Sequence, residues 1–158
     1  MPEGVIKIGV VSCSGENCLG GTISRLATRK MIDEIYPDKT VTICLPLFLA
    51  GGEQERMFAN AYPTITVDGC DKLCAKRATE KYSGQVSDAL DVSKIIGKEI
   101  AESPALSTRN LTDEQREMIT KVAQEIKTKF EKVFTDYVNT LIKSGKTPAS
   151  GCGCQCGG

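Results

Sequence analysis

Three runs rich in β-branched residues, VIKIGVVS (5–12), TVTICLPL (40–47) and YPTITVDG (62–69), each give way to a stretch of helical character. Alternation of this kind leaves few folds open, because parallel strands need long crossover connections and the crossovers place helices on the sheet faces. After Gly20-Gly21, residues Ile23, Leu26, Ala27, Met31 and Ile35 recur at helical spacing, with Pro37 just past the end. The pattern predicts a second helix over about 53–61, a third within DKLCAKRATEKYSG (71–84), and a short fourth strand in GQVSDAL (84–90). Thr112 followed by Gln115 reads as a capping box. From there to about residue 144 one stripe, Ile119, Val122, Ile126, Phe130, Val133, Tyr137 and Leu141, predicts a single long helix. At ~1.5 Å per residue it outreaches the sheet, so it either kinks as a cover, the simpler expectation, or lends part of its length to a second subunit.

The expected architecture is α/β: a small three-layer parallel sheet of Rossmann-like or flavodoxin-like type with an added long C-terminal helix. It is read as one domain over 1–144, with the helix over about 112–144. The Gly/Ser-rich end, 145–158, is read as a flexible cysteine-rich tail. Lys plus Arg and Asp plus Glu each number 20, so no net field draws nucleic acid or an anionic membrane. No stretch approaches the ~20 apolar residues of a membrane span, and the first apolar run is too short for a signal peptide. The cytoplasm is the expected compartment.

Eight cysteines stand beside no histidine and no tryptophan. Without histidine, thiol hydrolases that need an imidazole base and mixed Cys/His zinc sites are both excluded. Cys13 follows the first predicted strand, Cys44 closes the second and Cys70 follows the third. In an open parallel sheet the strand C-termini share one edge, where ligands bind at the switch point. Cys74, read as one helical turn past Cys70, points back to that edge. Four thiolates so gathered would close a tetrahedral Zn²⁺ site or hold an iron–sulfur cluster. The start of the third helix is expected to favour the Cys70 thiolate, and Asp68 to fix the turn by accepting hydrogen bonds.

VVSCSG after the first strand, a cysteine ending the second, and VDGCDKLCAKR together resemble the DGC-domain family of proposed zinc-binding proteins, over roughly residues 5–95. The resemblance implies Cys13, Cys44, Cys70 and Cys74 as the chelators and names no reaction. Cys18 and the tail lie beyond that pattern.

Two rival readings attach to VVSCSGENCLGG. Cys13 and Cys18 resemble the loop of low-molecular-weight tyrosine phosphatases and arsenate reductases, but those need C-x5-R. Leu19 stands where the arginine belongs, and no Asp-Pro pair supplies an acid. Ser14, Gly15, Gly20 and Gly21 would serve as an anion-binding nest or, more simply, as turn chemistry. Cys18 and Asp68 remain accessory candidates at the site, and Cys152, Cys154 and Cys156 of the CGCQC tail suit capture of a soft metal. The reading is thus a non-enzymatic metal-binding protein holding Zn²⁺ or an iron–sulfur cluster, with a protein donor or acceptor of metal as partner. A homo-oligomer through the long helix is a further expected association. The alternatives are a thiol–disulfide redox protein using Cys13/Cys18 or Cys70/Cys74, and a structural-zinc module that docks a partner.

Overall fold

The computed structural model describes residues 5–13, 15, 17–105 and 107–145. The tail expected over 145–158, with Cys152, Cys154 and Cys156, lies outside the described residues apart from Gly145.

Strands β1 (Ile8–Ser12), β2 (Thr40–Val41), β3 (Thr64–Asp68) and β4 (Asp88–Asp91) form one sheet in the order β2-β1-β3-β4. Every pairing is parallel. This is the flavodoxin-like order, whose switch point lies between β1 and β3. Pleating sends Ile8, Val10, Ile65 and Val67 to one face, against Ile23 and Ala27 of α1 (Leu19–Lys30) and Val122, Ile126 and Phe130 of α8 (Asp113–Ser144). Val11 faces the other way, onto a smaller core of Leu45 and Phe48 from α2 (Leu45–Ala50), Phe58 from α4 (Phe58–Ala61), and Ala75 and Ala78 from α5 (Cys74–Tyr82). The three layers follow from the alternation of the strands.

Several boundaries differ from the sequence reading. Helix α1 begins at Leu19, so Gly20 and Gly21 lie within its first turn, and its end continues as a π-helical turn, Met31–Ile35. The second strand stops at Val41, and α2 begins at Leu45 with Pro46 in its first turn. Proline lacks the N–H a ladder needs and suits a helix start, so the apolar run continues as helix. The helix expected over 53–61 is two short ones, α3 (Glu53–Arg56) and α4. Beyond β4, α6 (Ser93–Ile96) and α7 (Lys98–Glu102) complete the chain before α8.

The capping box is present: Thr112 Oγ1 accepts from the Gln115 amide at 3.2 Å, and Gln115 Oε1 accepts from the Thr112 amide at 3.0 Å. From there α8 runs unbroken for 32 residues, so the expected kink is absent. Its direction is fixed by contacts at the N-terminal ends of the strands. Lys129 Nζ reaches Asp88 Oδ1, at the first residue of β4, at 2.8 Å. The Lys39 ammonium, just before β2, sits over the Phe134 ring. Val133 and Tyr137 share a cavity with Pro63 and Ser87, which immediately precede β3 and β4. Past Val133 no residue of α8 is fully buried, and Ile142 is 73% exposed. No helix among the described residues is long and apolar enough to cross a membrane.

Candidate metal centre

At the opposite edge, where β1 and β3 end side by side, two loops meet. The first leaves β1 through Cys13 and enters α1 after Cys18; the second is Asp68-Gly69-Cys70. They touch backbone to backbone. A Cβ on Gly69 would fall 2.5 Å from the Gly20 carbonyl carbon and closer still to the Gly21 amide nitrogen. A Cβ on Gly21 would fall 2.9 Å from the carbonyl carbon of Gly15 and closer still to its Cα. Gly15 also holds φ +66°, a conformation that costs glycine little. These glycines act as contact points that let one thiol-bearing loop lie on another. For Gly15, Gly20 and Gly21 this packing matches the simpler reading, turn and contact chemistry, while Ser14 of the anion nest lies outside the described residues.

Asp68 is buried and works as a remote helix cap. Its Oδ1 accepts from the Ala75 amide at 2.6 Å and its Oδ2 from the Lys76 amide at 3.1 Å. The residue at the N-cap position itself, Leu73, stands in the left-handed region at φ 50° and caps nothing with its side chain. Burial pushes the Asp68 carboxyl up to about 6, against the opposing pull of the two amides. In Asp-Gly-Cys, then, the aspartate anchors the following helix, the glycine admits the neighbouring loop, and the cysteine faces the space between them.

That space is a cavity of about 520 Å³ lined by Cys13, Cys18, Cys70 and Cys74, with Asn17, Lys72 and Glu102 also in its wall. Cys70 lies near enough to Cys18 and Cys74, and Cys13 to Cys74, for their charges to act on one another. Cys70 and Cys74 are not on one helix as expected. A tight turn, closed by the Leu73 amide donating to the Cys70 carbonyl at 3.2 Å, separates them, and α5 starts at Cys74.

The Cys13 sulfur accepts from the Gly69 amide at 3.3 Å and lies 3.3 Å from Ser24 Oγ. Ser24 has one hydroxyl proton, directed at the Gly21 carbonyl 2.7 Å away, so the thiol is the donor in the Cys13–Ser24 contact. Burial, the largest influence, pushes the Cys13 thiol up. It does the same at Cys70, outweighing the Lys72 amide, so the helix-start stabilisation expected for the Cys70 thiolate does not prevail.

Cys44 does not line this cavity. Because β2 ends three residues before it, Cys44 sits exposed at the N-cap of α2. It lines a second cavity, of about 360 Å³, with Ser12, Cys13, Arg25 and Pro46. The structure therefore brings Cys13, Cys70 and Cys74 to one cavity, adds Cys18, and has Cys44 line a second cavity with Cys13. The signal for Cys18 was present in the glycines around it, but as contact chemistry rather than as a cysteine motif.

A model of the DGC domain matches residues 9–126, more than half of the chain. The chain belongs to the DGC-domain family. The match takes in both cysteine loops and extends into α8, further than the resemblance of the motifs alone. Neither a curated protein nor a solved structure matches it.

As the side chains stand, no group of three or more Cys, Asp or Glu among the described residues is placed to hold an ion. The chemistry of the donors around this DGC-domain cavity nevertheless fits a thiophilic ion: four sulfurs, three of them half-buried, and Cys74 exposed at its rim.

Proposed function

We propose that this DGC-domain protein captures and passes on a thiophilic metal ion, Zn²⁺ in the first instance, on the thiolates of Cys13, Cys18, Cys70 and Cys74. The observation that carries the reading is the single cavity at the β1/β3 switch point into which two loops bring four cysteines. Four thiolates make a closed tetrahedral site with Zn–S near ~2.3 Å, which leaves no open position for catalysis and suits storage or transfer. The Cys13–Cys18 loop and the Asp68–Cys70 loop are locked by glycine contacts, so closing the cage rests on side-chain rotation and on the turn at Cys70–Leu73. An iron–sulfur cluster draws on the same donors. In this reading Cys152, Cys154 and Cys156 form an auxiliary arm, and a second protein gives or receives the metal.

The dithiol redox alternative is weakened by spacing, since Cys70 and Cys74 stand one residue further apart than a redox-type C-x-x-C pair. The test is metal content and visible absorption of the full chain purified without oxygen, with Cys152, Cys154 and Cys156 changed to Ser. A colourless protein with about one Zn²⁺ per chain, lost on Cys70→Ser and on Cys18→Ser, supports the reading. A brown protein with iron and sulfide makes the cargo a cluster. A protein with no metal overturns it.

A further inference from the structure

The metal reading, on which this inference rests, leaves Cys44 unassigned, yet Cys44 shares a cavity with one of the four sulfurs. Cys13 lines both cavities, the one shared with Cys18, Cys70 and Cys74 and the one shared with Arg25 and Cys44. Among the described residues no other cysteine lines both of these cavities. Cys13 lies half-buried between the Gly69 amide and Ser24 Oγ, whereas Cys44 is exposed. Cys44 also occupies the N-cap of α2 without its side chain capping the helix, so its sulfur has no structural hydrogen bond there to give up. It follows a stretch, Thr42–Cys44, that has left the sheet after Val41 and is not held by ladder bonds.

We propose that Cys44 is a transit ligand: it takes the ion from outside and hands it to Cys13, which draws it into the cavity of Cys18, Cys70 and Cys74. The exchange moves no electrons. As the Cys13 sulfur bonds to the ion its proton leaves to water, and when the bond from Cys44 breaks that thiolate takes a proton up. The number of thiolates on the ion is restored at each step, which is how thiolate sites exchange metal without releasing it. A resident fourth ligand would line the space shared by the other sulfurs; Cys44 lines instead the cavity it shares with Cys13.

The experiment follows Zn²⁺ transfer from a chromophoric chelator to metal-free full-length protein, with Cys152, Cys154 and Cys156 changed to Ser so that the tail does not compete. Cys44→Ser is expected to slow uptake by about tenfold or more, equivalent to about 1.4 kcal/mol of barrier, with the final stoichiometry unchanged. Cys44→His, which retains a metal ligand, is expected to recover most of the rate. Unchanged uptake in Cys44→Ser overturns the proposal. Loss of final stoichiometry in Cys44→Ser also overturns it, by making Cys44 a resident ligand. If the parent takes up no Zn²⁺ at all, the metal reading itself fails, an outcome separate from either. A circular dichroism melt of each variant checks that rate changes are not unfolding.

Discussion

The junction of the two cysteine loops makes a sharp demand on Gly69. Replacing it by alanine places a methyl carbon 2.5 Å from the Gly20 carbonyl carbon and closer to the Gly21 amide nitrogen. Both obstacles are backbone at the start of α1, and the Leu19 amide behind them is tied to the Ser103 carbonyl at 2.8 Å. Neither can swing aside as a side-chain tip would, so relief requires the two loops to separate. Overpacking typically costs 1–3 kcal/mol, and the rigidity here points to the top of that range, about 3 kcal/mol. For a chain of this size that is a fall in Tm of roughly 6–12 °C. Gly52→Ala provides the control, because a Cβ there meets nothing nearer than Glu55 Oε2 at 3.7 Å. It is expected to cost no more than about 1 kcal/mol, chiefly from the poorer helix cap. Urea and thermal melts of the metal-free proteins give both numbers. If Gly69→Ala costs no more than Gly52→Ala, glycine contact is not what sets the distance between the loops, and the account of the cavity is wrong.

Asp68→Ala removes the acceptors of two amides at the start of α5 and is expected to cost about 2 kcal/mol. Asp68→Asn keeps one acceptor oxygen and is expected to fall well short of that, as urea titration would show. Phe130→Ala, which empties a site stacked against Tyr36 and Phe134, should cost about 3–5 kcal/mol and leave metal stoichiometry intact in whatever protein remains folded. Ile142→Ala at the exposed end of α8 should shift stability by less than ~0.5 kcal/mol; a larger loss would mean that this end is covered in solution. Stripping metal with a chelator should lower Tm in proportion to the affinity lost, and re-adding Zn²⁺ should restore it, an effect absent from Cys70→Ser.

Much of the fold was legible because it rests on periodicity. Ile8, Val10, Ile65 and Val67 alternate as buried strands do, and the Thr112–Gln115 box marks the start of α8 to the residue. The second strand was misread because an apolar run such as TVTICLPL does not declare its period, and Pro46 turns it into helix early. That single boundary makes Cys44 the N-cap of α2, where it lines a cavity with Cys13 but not the one lined by Cys18, Cys70 and Cys74. Cys18 was legible only as an accessory candidate, for a different reason. Its place in the cavity depends on how closely two backbones approach, and Gly69 meets Gly20 and Gly21 across a long separation in sequence. Likewise, the left-handed Leu73 that divides Cys70 from α5 has no signature in residue type, since leucine rarely adopts that conformation.

Helix α8 leaves the domain at the N-terminal ends of the strands, and both thiol-lined cavities open at their C-terminal ends. A molecule gripped by whatever follows Gly145 is therefore held by its heel. Fixed in that way to a bead, a sensor surface or a larger assembly, it presents its cysteine face outward, with the end of α8 past Thr140 as a built-in spacer of about one helical turn, ~6 Å, between domain and support. Attachment through residue 5 offers no such separation, because the chain enters β1 only three residues later.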